Sequence, residues 1–131
     1  MYNMTKVFCD IADISLIKKF DKKSIVKGFT TNPSLMRKAG AKHYKNYSKD
    51  ILKITNKPVS FEVFADNERT MILQGVEISR WGKNVYVKVP VTNSKGKFTG
   101  KAIYELNKKK IKLNITAVYT SEQTKKILKK I

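Results

Sequence analysis

Cysteine and histidine are almost missing from this chain: each occurs once in 131 residues. A single thiol, Cys9, excludes an internal disulfide and fits a reducing, cytoplasmic setting. Cys9 lies in a strand-like run, where it reads as a small core residue more readily than as a reactive thiol. His43 stands among Lys42, Tyr44 and Lys45. No Cys/His cluster with metal spacing exists, so no metal site and no cofactor is expected. No apolar run is long enough to span a bilayer, so no membrane partner is expected. Asp10 and Asp13 interrupt the N-terminal apolar stretch, which therefore lacks the shape of a signal peptide. Arginine is scarce too. Arg37, Arg69 and Arg80 are the only three, and lysine supplies the other 25 of the 28 cations behind a net charge of +18. Reading bases and clamping phosphates through two bonds both favour arginine. The lysines are also scattered, as in Lys18-Lys19, Lys22-Lys23, Lys108 to Lys110 and Lys129-Lys130. A solvated surface is the simpler reading, with nonspecific attraction to polyanions at low salt.

Apolar residues make up 41% of the chain, enough for a real core. No linker or low-complexity stretch divides it, so a single domain over residues 1–131 is expected. Strand-like and helix-like patterns alternate. Lys6 to Asp10 reads as a strand, and Asp13 can cap a helix to about Phe20 with Leu16, Ile17 and Phe20 as its stripe. Ser24 to Phe29 reads as a second strand. After the loop at Asn32-Pro33, a helical stretch breaks near Gly40 and resumes to about Thr55. Pro58 opens a third strand, Val59 to Phe64. Asn67 caps a helix to about Trp81, which Gly82 ends. Asn84 to Val89 is a fourth strand, and Gly96 to Lys109 carries a helix with Ala102, Ile103 and Leu106 on one face. Lys112 to Val118 is a fifth strand. Thr120 and Gln123 form a capping box for a last helix, with Ile127, Leu128 and Ile131 inward. Five successive βα units predict an α/β fold with a parallel sheet and right-handed crossovers.

Lys88 stands inside Val85-Tyr86-Val87-Lys88-Val89-Pro90-Val91-Thr92, a cation within an apolar strand. Burying a cation is costly unless it is paired or neutralised. A buried lysine is favoured as its neutral amine, which can attack a carbonyl to form a Schiff base. Val89-Pro90 places Lys88 near the C-terminal end of its strand, where α/β folds hold their chemistry. The competing reading is a surface lysine snorkelling from an edge strand. Side chains alternate along a strand. Lys88 therefore points with Tyr86, Glu62 with Ser60 and Phe64, and Asn114 with Thr116. Asp10 ends the first strand and Asn32 follows the second, where beside Pro33 it serves a turn as readily as a ligand. An amine, two carboxyls and several hydrogen-bonding groups thus gather at one end of five strands. Those are the parts that carbonyl chemistry through an imine requires.

Three of these runs resemble one family. Gly28-Phe29-Thr30-Thr31-Asn32-Pro33-Ser34-Leu35 is similar to the transaldolase signature around the second strand. Val87-Lys88-Val89-Pro90-Val91-Thr92 resembles the family's Schiff-base strand, and Lys112 to Tyr119 its fifth strand. Asp10 matches the first-strand aspartate. The likeness is closest to the short transaldolases, the group that includes fructose-6-phosphate aldolase. It implies a partial (β/α)8 TIM barrel made of about the first five βα units. By this resemblance Lys88 forms the imine with a ketose donor, and Asp10 moves the proton of the hydroxyl released on C3–C4 cleavage. Glu62 and Thr116 hold the water of imine formation and hydrolysis. Asn32 and Asn114 orient the donor, with Thr30 and Thr31 alongside in substrate binding.

The implied activity is transfer of a dihydroxyacetone unit between sugar phosphates in the pentose phosphate pathway. Fructose 6-phosphate or sedoheptulose 7-phosphate would be the donor and an aldose phosphate the acceptor. The alternatives are a lyase like fructose-6-phosphate aldolase, or an inactive relative acting as a binding module. Glutamate at position 62, where the aldolase has glutamine, favours transfer. A whole barrel takes about 250 residues. The family's later strands, including the arginine that grips the sugar phosphate, find no match here, and none of the three arginines fits that motif. Five strands leave two open sheet edges, so an oligomer or a completing chain is expected.

Overall fold

The computed structural model describes residues 4–131. Five strands alternate with six helices: β1 (Val7–Asp10), α1 (Ile14–Asp21), β2 (Val26–Thr30), α2 (Pro33–Lys38), α3 (Tyr44–Ile54), β3 (Val59–Glu62), α4 (Glu68–Ser79), β4 (Val85–Pro90), α5 (Gly100–Lys108), β5 (Leu113–Thr116) and α6 (Ser121–Leu128). All strand pairs are parallel and neighbours in sequence are neighbours in space, in the order β1-β2-β3-β4-β5. The sheet curls into half of a TIM-like barrel, as the alternation and the family likeness predict. No helix among the described residues is long and apolar enough to cross a membrane.

The caps expected at Asp13, Asn67 and Thr120 form, and Asn32 adds one that was not expected. The side chains of Asp13, Asn32 and Asn67 each accept the backbone N–H three residues on, at 2.9 Å. Thr120 and Gln123 close a reciprocal capping box on α6. These caps begin α1, α2, α4 and α6 at the C-terminal end of the sheet, satisfying helix N–H groups that would otherwise be orphaned.

The core lies between the convex face of the sheet and the helices. Phe29, Val59, Phe61, Val87 and Val89 point outward from the strands and are fully buried against Ile17, Ile51, Met71, Ile103 and Leu106. Cys9 is half-buried and packs on the edge of this core. The concave face is open. A trough of about 710 Å³ runs along its lower half, lined by Phe8, Thr30, Ser60, Tyr86 and Asn114 among others. Side chains of a closed barrel would fill this space.

Several boundary or facing expectations need correction: β3 stops at Glu62 and β5 at Thr116, each two residues short of the expected end. Leu16, Leu128 and Ile131 are exposed by 41%, 61% and 58%. α1 and α6 each bury one residue, Ile17 and Ile127, because each is short and rests on few neighbours. Gly82 does not end α4. The helix closes at Arg80, in right-handed geometry, with its N–H on the Glu77 and Ile78 carbonyls. The helix expected from Gly96 starts at Gly100. Asn93 accepts the Lys95 and Lys97 N–H groups and Gly96 takes φ of 75°, so local turn chemistry folds this stretch into a tight loop first. β4 runs through Pro90 and does not stop before it.

Gly28 is needed for close approach. It faces Phe8 across the β1–β2 pair, and a Cβ there would collide with the Phe8 ring and lie 2.7 Å from the Pro58 carbonyl oxygen. The ring can swing away, but the backbone oxygen cannot. Gly28→Ala should lower stability by about 1–3 kcal/mol, read from urea unfolding midpoints. An unchanged midpoint would show that the β2–β3 seam yields freely.

Candidate active site

Strand register builds the site in rungs. Asp10, Thr30, Ser60 and Tyr86 are successive partners across β1 to β4. One rung nearer the C-terminal end, Glu62, Lys88 and Asn114 are partners across β3 to β5, and Thr116 pairs with Pro90 beyond them. All of these but Pro90 are polar side chains aligned along the concave face, because the strands run parallel and in phase.

Lys88 is 8% exposed and is the only buried lysine among the described residues. This decides against snorkelling. Its Nζ donates to the Thr30 hydroxyl at 3.1 Å and to the Thr31 carbonyl at 3.2 Å. Both acceptors are neutral. The ion pairs among the described residues are Lys45–Glu77 and Lys53–Asp50, both on the surface. The amine is therefore held by dipoles and not by a carboxylate in contact with it. That leaves room around Nζ for a carbonyl carbon.

The Thr31 carbonyl is free to receive Lys88 because the β2–β3 ladder stops there. The Phe29 N–H donates to the Pro58 carbonyl at 2.8 Å and the Thr31 N–H to the Ser60 carbonyl at 3.1 Å. The next donor at this spacing is residue 33, a proline, which has no N–H. Glu62 is the residue of β3 stranded by this gap. The Tyr44 hydroxyl takes over: it donates to the Glu62 carbonyl and accepts the Glu62 N–H, both at 3.0 Å.

Burial pushes the Glu62 carboxyl above its ordinary range. The nearby Lys88 opposes that rise and Asp10 adds to it. A carboxyl shifted this way is better matched to giving and taking protons near neutral pH. Glu62, Lys88, Asn32 and Thr116 line one cleft of about 490 Å³ at the C-terminal end of the strands. Asp10 stands exposed at the tip of β1, close enough to act on Glu62 through its charge. Asn32 both caps α2 through its side-chain oxygen and lines the cleft, which leaves its amide N–H groups for a ligand. Asn114 donates to the Ser60 hydroxyl at 3.1 Å and lines the lower trough, keeping its carbonyl oxygen free. The fully buried Thr31 hydroxyl donates to the Ser60 carbonyl at 2.8 Å. Its contribution at Lys88 is its backbone oxygen.

Two residues join the site that sequence reasoning gave no role. Ser60 supports Asn114, and Tyr44 reaches Glu62 from α3. Alternation along β3 already put Ser60 on this face. Nothing in the linear chain ties Tyr44 to a strand 18 residues later. No cluster of three His, Cys, Asp or Glu side chains among the described residues could hold a metal ion.

Comparison with known proteins agrees with the fold. The family model for Transaldolase/Fructose-6-phosphate aldolase matches residues 7–130. A probable transaldolase of Methanococcus maripaludis is 38% identical over 118 residues, covering 90% of this chain and 53% of its own. A probable transaldolase of Streptococcus agalactiae is 36% identical with the same coverage. One of a Thermoanaerobacter species is 35% identical and covered over 52% of its length. The chain thus spans about half the length of these curated relatives. By its motifs, its half-barrel and these matches, the chain belongs to the transaldolase/fructose-6-phosphate aldolase family.

Proposed function

We propose that this chain carries the imine-forming half of a transaldolase site, which transfers a dihydroxyacetone unit between sugar phosphates. The observation that carries this reading is Lys88 itself. It is a lysine 8% exposed on the polar, concave face of a parallel sheet, with a raised carboxyl as its cross-strand partner. The Lys88 amine attacks the C2 carbonyl of the ketose, and loss of water gives the protonated imine. The electron pair of the C3–C4 bond then flows into the imine, while Asp10 takes the proton of the C4 hydroxyl. Glu62 protonates the carbinolamine hydroxyl as it leaves, and Glu62 and Thr116 hold the resulting water and the water that later hydrolyses the imine. Asn32 donates to the donor's hydroxyls, Asn114 accepts from them, and Thr30 lies beside the nitrogen. Glutamate at position 62 favours handing the three-carbon unit to an aldose phosphate over releasing it. Fructose 6-phosphate or sedoheptulose 7-phosphate serves as donor, which places the reaction among pentose phosphate interconversions. In the working enzyme, βα units beyond these five close the barrel against β1 and β5 and bring the phosphate grip. The lysine coat adds only salt-sensitive attraction to polyanions.

Borohydride trapping tests this reading. The protein is incubated with dihydroxyacetone or fructose 6-phosphate, reduced, and weighed intact and as peptides. A three-carbon adduct on Lys88 is expected. A folded protein that gains no adduct, or gains it elsewhere, overturns the assignment.

A further inference from the structure

Glu62 depends on a phenol that never reaches the cleft. Both backbone groups of Glu62 that face β2 would be orphans, because Pro33 withholds the next donor of the ladder and the Thr31 carbonyl is occupied by Lys88. Tyr44 satisfies both with one oxygen, at 3.0 Å each. On its other side, the β3 backbone is still tied to β4 through Val63 N–H to the Lys88 carbonyl at 3.0 Å. The peptide bearing Glu62 is therefore clamped from two sides, by the nucleophile's own strand and by Tyr44.

Tyr44 is itself well held. It opens α3, its carbonyl accepts the Ser48 hydroxyl at 2.7 Å, and its ring meets Phe64 edge-on at 5.6 Å and Trp81 at 5.8 Å. Burial pushes its hydroxyl well above the ordinary phenol range, so it stays protonated and acts as a constant dipole. It is absent from the lining of the cleft that holds Lys88 and Glu62. A group so placed cannot exchange protons with a substrate there. It can decide where the Glu62 carboxyl sits.

We propose that Tyr44 is a positioning residue, acting through the Glu62 backbone to hold that carboxyl over the imine. This rests on the proposed role of Glu62 in imine formation. Small displacements of a catalytic group cost about 10- to 100-fold in rate.

The test is a double-mutant cycle read by the rate of borohydride-trapped adduct at Lys88, with dihydroxyacetone as the probe. Tyr44→Phe should slow trapping by about tenfold or more, and in a Glu62→Ala background it should add no further slowing. Equal slowing in both backgrounds overturns the proposal, since Tyr44 would then support the fold at large. So does undiminished trapping in Tyr44→Phe alone. If Glu62→Ala itself traps at the full rate, the role given to Glu62 fails first and leaves Tyr44 nothing to position. Should Tyr44→Phe not fold, hydrogen exchange on the unsubstituted protein decides. The Glu62 amide should exchange at least about tenfold more slowly than an unstructured peptide. Exchange at the unstructured rate overturns the clamp.

Discussion

Lys88→Ala should give a folded protein that traps no three-carbon adduct. The expected loss is complete, because no other lysine shares its environment. Every other lysine among the described residues is exposed or half-exposed, whereas Lys88 is buried. None of the others lines the cleft that Lys88 shares with Glu62, Asn32 and Thr116. Folding should survive because the site opens onto a cleft. Thr30 lines the open trough, where water can replace Nζ on its hydroxyl, and the buried Thr31 carbonyl loses a donor at a cost of about 1–3 kcal/mol, which a folded domain can bear. Lys88→Met keeps the apolar stem and serves as the control for packing. Intact mass after reduction reads the adduct, and circular dichroism reads the fold. Full trapping in either variant would sink the assignment of the nucleophile.

Glu62→Gln should move activity and stability in opposite directions. Removing a positioned acid–base group costs about 10²- to 10⁴-fold, so trapping at Lys88 should slow by at least the lower figure. The stability sign follows from the raised carboxyl. Its ordinary value is 4.5 and burial lifts it. The folded state therefore holds this proton more tightly than the unfolded chain does. Stability is unaffected below the ordinary value, is lost as pH rises through the shifted one, and stays lower above it. An amide carries no such charge. The variant should thus match the parent near pH 4 and exceed it at pH 7 to 8 in urea midpoint. A variant less stable than the parent at pH 7 would mean that Lys88 compensates the carboxylate more than burial penalises it.

Much of this was visible in the chain because it depends on period and phase. Alternation along each strand placed Lys88, Glu62, Ser60, Asn114 and Thr116 on one face, and the register confirms those faces. Side-chain caps at Asp13, Asn67 and Thr120 were legible because they act within four residues. What was not legible is whatever depends on who the neighbours are. Leu128 and Ile131 fit a helical stripe, yet the stripe has little to pack against. Thr31 sits in the signature beside Asn32, yet its hydroxyl turns into the fold to meet Ser60. Tyr44 reads as the first residue of a helix, and its bond to Glu62 exists only once α3 lies across the end of β3. Asp10 was expected as a reacting group, and its electrostatic hold on Glu62 is a property of distance that no spacing rule states.

Pro33 behaves as the stop at the end of a zip. Below it, β2 and β3 are joined tooth by tooth, at Phe29–Val59 and Thr30–Ser60. At Pro33 the slider meets a tooth with no hook, and the two strands part. Any other amino acid there would carry an N–H and offer the Glu62 carbonyl a rival to Tyr44. The fork between the strands is where Lys88 finds the Thr31 carbonyl and where the cleft opens. One missing hydrogen on an imino acid thus marks the line between the part of the sheet that holds the molecule together and the part left open for chemistry.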